Sequence, residues 1–450
     1  MKKGNSMLKG STIRTIISFA IPIMLSSFFQ YNYAMVDNII VGRYVSTDAL
    51  AAVGNTGPIN SFIIGAALGL TSGFTIPVAH AIGEGNKEKA SRYAGSSIVC
   101  AFFIGIVISI AGHLLSTPLL RLIGTPQNII DLSAAYVNIL YYAVPLQMLS
   151  NNFTAIARAI GESKKPLYFF TVSVFVNFIL DLLFVKVLGW GVEGAALATL
   201  ISHFSTCTLT GFYITRWNKE IKIRKSHLKP DFKIIWKQIK LGIPVSLQFT
   251  ITAAGSMSMQ SAINSFGSDV MAGFTAAGRV ENLTNLPMSA LGVATQTFVG
   301  QNYGAKQYER VINAVRKIFI LDVAVSVVMS ITLYLIAPTF VSFFMTEPNE
   351  AMLQAAERYI LATSQCYSMV AVLFVLRNAL QGLGYTYANT IAGAGEFIGR
   401  LSVAFIFTKV FGFTAACYAA PAAWLMADIP LIIIYLIKER KFKKAIRQEN

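Results

Sequence analysis

HAIGEGNKEKA at residues 80–90 and QNYGAKQYER at residues 301–310 are one turn written twice. In each, an apolar run ends near a glycine, Gly83 or Gly304, and a short polar turn leads into a basic helix start. Sliding the second half of the chain back by roughly 223 residues aligns further punctuation. Pro22 meets Pro244, Pro118 and Pro126 meet Pro338 and Pro348, RAIG (158–161) meets QGLG (381–384), and Gly189 meets Gly412. Solenoid repeats are far shorter than this period. A duplicated half in an apolar chain points instead to a two-lobed membrane transporter with its pathway between the lobes.

Composition agrees with a membrane setting. Of 450 residues, 54% are hydrophobic and 13% charged, against about 25% charged in soluble proteins. Runs of at least ~18 nearly uncharged residues recur, long enough to cross a hydrocarbon core as helices. No cleavable signal peptide is expected, because the apolar stretch 16–36 is too long and runs into Asp37. The net charge of +16 does not indicate nucleic acid, since the basic residues sit in alternate loops. Cys100, Cys207, Cys366 and Cys417 lie in or beside hydrophobic runs at no metal-ligand spacing and read as packing residues. His80, His113, His203 and His227 likewise form no metal pattern.

Hydropathy draws twelve spans, near 14–40, 47–82, 94–115, 131–157, 166–188 and 193–215, then 240–264, 269–301, 313–337, 352–378, 387–410 and 415–437. The expected organisation is a six-helix lobe over 1–215, a basic linker over 216–239, and a second six-helix lobe over 240–450. Of the 37 lysines and arginines, 29 lie at the two termini, in the linker region, or in the loops after spans two, four and eight. The opposite side holds only Arg43, Arg121, Lys186, Arg358 and Lys409. Both termini and the linker are therefore expected in the cytoplasm, with the linker anchored on anionic lipid. Six spans per half give both lobes the same orientation, related by an axis along the membrane normal.

Ionisable residues at membrane depth are costly and usually functional. Gln30, Tyr33 and Asp37 share one face of the first span, and Asn177 and Asp181 share one face of the fifth. Asp37 lies just before Arg43, Asp181 just before Lys186, and Thr199 just after Glu193. At 1.5 Å per residue each sits roughly 7–9 Å inside the same boundary. Oxygen ligands from three helices at one depth can cage a small hard cation, or the two carboxyls can share a proton. The alternative is that Asp37 and Asp181 only cap or hydrogen-bond near helix ends. Glu396 and Arg400 are spaced i, i+4, as an internal ion pair or as lining of the cleft, and Arg377 can join either arrangement. Arg279 and Glu281 point differently, so Glu281 either attracts a cationic substrate or neutralises an arginine. Met257 and Met259 offer an adaptable apolar surface or ordinary core. Asp428 has no evident partner, and Asp322, near Lys317, reads as interfacial. Pro22 and Pro244 each remove a helical hydrogen bond inside a span, and a bend at Pro22 would swing the part carrying Asp37.

With these residues in view, the chain resembles the multidrug and toxic compound extrusion (MATE) family, in its bacterial exporter branch, over nearly its whole length. The likeness is carried by Pro22, Gln30 and VDNIIVG (36–42), DALAAVG (48–54), the G-x-G turn at 83–85 and GVEGAALAT (191–199). The resemblance implies an all-α membrane protein of the MOP flippase superfamily, with twelve transmembrane helices in two pseudo-symmetric six-helix bundles. It implies export of amphipathic or cationic organic compounds by alternating access, driven by inward Na⁺ or H⁺, with no organic cofactor and no enzyme activity. Its cation site falls on Asp37, Asn177, Asp181 and Thr199, the metal ligands if Na⁺ is the driver, with Tyr33 one turn below Asp37. The remaining expectations are a monomer in the cell membrane among lipids. Substrate-cleft or gating candidates are Gln30, Met257, Met259, Arg279, Glu281, Arg377, Glu396 and Arg400. Rival readings are a flippase for lipid-linked saccharides, to which the internal arginines are suited, and a dedicated metabolite exporter.

Overall fold

The computed structural model describes residues 7–343 and 349–449. Lys2, Lys3 and Pro348, which enter the charge and repeat arguments above, lie outside them. Among the described residues there are helices, turns and short loops and no strand. In chain order the helices are α1 (Thr12–Tyr44), α2 (Thr47–Asn55), α3 (Gly57–Phe74), α4 (Ile76–Gly83), α5 (Lys87–Leu122), α6 (Ile130–Ala159), α7 (Lys164–Asp181) and α8 (Gly191–Phe212). They continue as α9 (Phe232–Asn264), α10 (Ser268–Gly304), α11 (Tyr308–Phe343), α12 (Glu350–Gln365), α13 (Tyr367–Gly382), α14 (Tyr387–Ser402), α15 (Thr408–Cys417) and α16 (Ala419–Glu449).

Joined across their breaks, these make the twelve rods that hydropathy draws. Among the described residues, eight are long and apolar enough to cross a membrane, and nine if α12 and α13, bent by 55°, are one span. The rods built on α8, α9 and α10 are as long, and their apolar runs are interrupted by polar side chains such as Ser202, Thr252 and Glu281. On α5, Phe103, Val107, Ile110 and Leu114 are all exposed and repeat at helical spacing. An exposed apolar stripe of that length is a lipid-facing surface.

The breaks have local causes. Pro77, just inside α4, cannot donate to the Gly73 carbonyl one turn back, and beside it the Thr75 hydroxyl donates to Thr71 O (3.3 Å) and Ser72 O (3.0 Å). α7 runs into a π-helical turn over Leu182–Val187, and α14 into one over Val403–Phe407. Gly412, at φ 61°, kinks the backbone within α15.

The repeated motifs prove to be repeated caps. Gly161 after α6 (φ 91°) and Gly384 after α13 (φ 87°) both take the left-handed conformation. Each is followed by the same closing bond, Glu162 N–H to Ala157 O and Tyr385 N–H to Leu380 O. The opening pair behaves alike with one change: Gly85 (φ 73°) and Lys306 (φ 58°) occupy the same left-handed position, bonded through Asn86 to Ala81 and through Gln307 to Asn302.

The chain divides into two compact units, Leu25–Ile243, and Met1–Met24 with Pro244–Asn450. In the first, α6 is central and packs on α2, α3, α5 and α8. The linker region is fastened to this unit. Ile221 is buried in a core with Tyr93 and Phe153, and Lys222 N–H donates to Ser91 Oγ at 3.1 Å. His227 Nδ1 accepts from Arg224 N–H at 3.2 Å, which leaves Nε2 to donate to Glu88 at 2.9 Å. Gln238 Nε2 donates to Phe74 O (3.0 Å) and Tyr93 O (2.8 Å). In the second unit, α10 packs on α11, α12 and α13, and α14 packs on α16. Its core also takes in Met7, Ile16, Phe19 and Ile23 from the start of the chain, beside Phe298, Tyr367 and Trp424.

Candidate functional site

In the unit Leu25–Ile243, three helices bring polar side chains to one buried place. Asp37 (α1), Asn177 and Asp181 (α7) and Thr199 (α8) are all buried, and Asp181 is 0% exposed. The helical period puts Asn177 and Asp181 on one face of α7, and Ser202 Oγ on α8 donates to Ser173 O at 2.8 Å, which fixes the two helices side by side. Tyr33 donates its hydroxyl to Thr199 Oγ1 at 3.2 Å, and Thr199 donates to Asp37 Oδ2 at 3.5 Å. The Asp37 and Asp181 carboxyls face one another.

Four atoms of this cluster are buried with no hydrogen-bond partner: Asp37 Oδ1, both carboxyl oxygens of Asp181, and Asn177 Nδ2. Buried polar groups are nearly always satisfied, so four orphaned atoms in one cluster make it the candidate site of this unit. Two like charges out of water oppose each other, and a cation or a proton between them removes the opposition. The oxygens offered by two carboxyls, one amide and one hydroxyl suit a small hard cation. Asp181 is also the last residue of α7 before the π-helical turn, a distortion often found at functional positions. Tyr136 on α6 lies within electrostatic reach of both acids. Sequence reasoning missed it, because a tyrosine inside an apolar span carries no distinguishing pattern.

The unit of Met1–Met24 and Pro244–Asn450 holds a second polar interior. Glu396 on α14 receives Arg377 Nη1 (α13) at 3.1 Å, Arg400 Nη1 at 3.4 Å and the Thr252 hydroxyl (α9) at 3.2 Å. Glu281 on α10 is buried, accepts from the Tyr359 hydroxyl, and accepts from Asn285 Nδ2 at 3.3 Å. Arg279 is exposed, so the two charges of α10 do point differently. Asp428 on α16 is buried beside this group, with Oδ1 unpartnered. Met259 is buried in a core with Val403 and Ala416, whereas Met257 and Gln30 are exposed. Asp322 is not interfacial: it is 0% exposed inside α11, with neither carboxyl oxygen partnered. Among the described residues no three His, Cys, Asp or Glu side chains cluster as metal ligands. The four cysteines are free.

The family model MatE matches the chain twice, over residues 22–183 and 244–406. The chain belongs to the MATE family. The two matches restate the duplication, half against half. A probable multidrug resistance protein, YoeA of Bacillus subtilis, is 28% identical over 97% of this chain and 95% of its own length. The multidrug export protein MepA of Staphylococcus haemolyticus is 22% identical over 96% of the chain and 95% of its own length. An FAD transporter of Shewanella oneidensis is 23% identical over 84% of each. Among solved structures, the outward-facing conformation of a multidrug resistance MATE family transporter superposes with a TM-score of 0.90, at 23% identity over 99% of both chains. The fold is thus the all-α MATE fold, and this MATE protein is a multi-pass membrane transporter rather than an enzyme.

Proposed function

We propose that this MATE protein is a secondary antiporter that exports amphipathic or cationic organic compounds, driven by one inward monovalent cation, Na⁺ or H⁺. The observation that carries the reading is the facing pair Asp37 and Asp181, buried on separate helices with orphaned oxygens. With the cation between them the pair is neutral enough to stay packed. Without it, like-charge repulsion favours opening. Asn177 and Thr199 complete the ligand set, and Tyr33 orients the Thr199 hydroxyl. Substrate release follows cation entry, because both equilibria bias the same two conformations. Pro22 lies on the helix that carries Asp37, one place where that helix bends cheaply.

The basic loops support cytoplasmic termini, a cytoplasmic linker and a position in the cell membrane. The division into lobes of 1–215 and 240–450 joined by 216–239 describes the gene duplication. The flippase reading is weaker, because Arg377 and Arg400 are committed to Glu396 and so offer little charge to a pyrophosphate. A dedicated exporter of one metabolite would use the same cation chemistry, and the FAD transporter relative favours keeping that reading as the second choice. Everted membrane vesicles under imposed Na⁺ or H⁺ gradients test the proposal. Export of a cationic dye that follows one gradient in the wild type, and is lost in Asp37→Asn, is the expected result. Gradient-driven export that survives in both Asp37→Asn and Asp181→Asn would sink it.

A further inference from the structure

A groove on the basic side of the unit formed by Met1–Met24 and Pro244–Asn450 has no part in the sites above. It measures about 400 Å³ and lies between the start of α1 and the first turns of α11. Gly10, Ser11 and Thr12 form one wall, and Arg310, Asn313 and Lys317 the other. Arg310 is held rigidly: Nη1 donates to Gly10 O at 3.0 Å, Nη2 to Met7 O at 3.5 Å, and the guanidinium lies 5.1 Å from the centre of the Phe298 ring. Its Nε is buried with no partner. Lys317 is exposed, and among the described residues neither cation has a carboxylate at ion-pair distance. Arg316, one position earlier, is instead tied to Glu439.

The groove's chemistry is that of an anion site. The first turn of α1 has no acidic residue, and the positive end of that helix adds to the potential of the groove. Glu309, which also lines the groove, offsets one of the two side-chain cations. One net positive charge suits a singly charged phosphodiester better than a doubly charged phosphate.

The surface that continues from the groove is apolar. Along α11 the exposed residues run from Lys317 through Ile320, Val327, Val328, Ile331 and Leu335, and α1 exposes Ile13 and Ile21. A cationic notch leading onto two greasy helix faces matches a molecule with a charged head and acyl chains. We propose that this groove binds the phosphodiester headgroup of an anionic phospholipid from the leaflet on the basic side, with its chains along α1 and α11. The lipid would tie residues 10–13 to the start of α11, two segments far apart in the chain.

The test uses delipidated full-length protein in neutral detergent micelles. Its thermal midpoint is followed while phosphatidylglycerol, phosphatidylcholine or inorganic phosphate is added. Phosphatidylglycerol is expected to give a saturable rise, and the other two none. Lys317→Gln, at an exposed position that supports no internal bond, should weaken the phosphatidylglycerol response about fivefold, and Lys317→Arg should restore it. A phosphatidylglycerol carrying a photoreactive chain should label the wild type on α11, and Lys317→Gln less. Equal responses to phosphatidylcholine, or an unchanged titration in Lys317→Gln, overturn the site. A matching saturable response to inorganic phosphate overturns the lipid assignment in favour of a soluble anion.

Discussion

Thr199 on α8 donates its hydroxyl to Asp37 on α1 while accepting one from Tyr33, so a single side chain joins two helices and orders the carboxyl between them. The chain of bonds runs in one direction, towards the acid. On the proposed reading, a cation arriving at Asp37 would displace the weaker member, the 3.5 Å contact, before the 3.2 Å one.

Thr199→Ala should therefore leave the fold intact and raise the ion concentration for half-maximal transport roughly fivefold to tenfold, the worth of one polar ligand of about 1 kcal/mol. Thr199→Ser keeps the oxygen and should lie within about twofold of wild type. Flux against Na⁺ or H⁺ concentration in proteoliposomes reads the difference, and equal losses in both variants would assign Thr199 to packing.

Glu396 balances Arg377 and Arg400 together, each cation being only 14% exposed. Glu396→Gln strands both and should cost about 3 kcal/mol of stability. Arg400→Gln leaves the closer Arg377 pair in place and should cost less. Thermal unfolding of the purified variants in one detergent ranks them, and the opposite order would mean that Arg400 carries the packing.

Gly95 on α5 faces the linker so closely that a Cβ there would stand 2.4 Å from His227 O. Gly95→Ala should lift the strap around Lys225–Leu228 from the unit. Limited trypsin digestion is the measurement, because the strap is rich in lysine and arginine. Cleavage between 219 and 233 should quicken several-fold while the rest of the chain stays resistant.

Lys306 sits in a left-handed turn that its counterpart Gly85 occupies without strain. Lys306→Gly should stabilise the protein by a few tenths of a kcal/mol to about 1 kcal/mol. A lower thermal midpoint would instead show that the Lys306 side chain makes a contribution larger than the strain.

Much of this arrangement was legible in the residues. Asp37, Asn177, Asp181 and Thr199 declared themselves because charge and amide groups are rare in apolar helices, and because their distances from Arg43, Lys186 and Glu193 put them at one depth. The i, i+4 spacing of Glu396 and Arg400 likewise became an ion pair, and Arg377, which the sequence left free to join it, does so at 3.1 Å. Average hydropathy was blind to the breaks at Thr56 and Thr75, since a threonine that bonds a carbonyl three or four residues back leaves the mean unchanged. Asp322 was misread for a similar reason. Proximity to Lys317 along the chain says nothing about the direction in which a helical side chain points. The docking of the linker was hidden too, because basic residues around Ile221 masked the apolar contact that holds it.

The packing of Met7, Ile16, Phe19 and Ile23 with Phe298, Tyr367 and Trp424 has a consequence for biosynthesis. Translation delivers these early residues long before their partners exist. The start of α1 must therefore wait in the membrane, apolar and incompletely covered, until α10, α13 and α16 have left the ribosome. Such long-range closure is slow. A nascent chain arrested before residue 276 would present that unfilled face to whatever insertion machinery attends it.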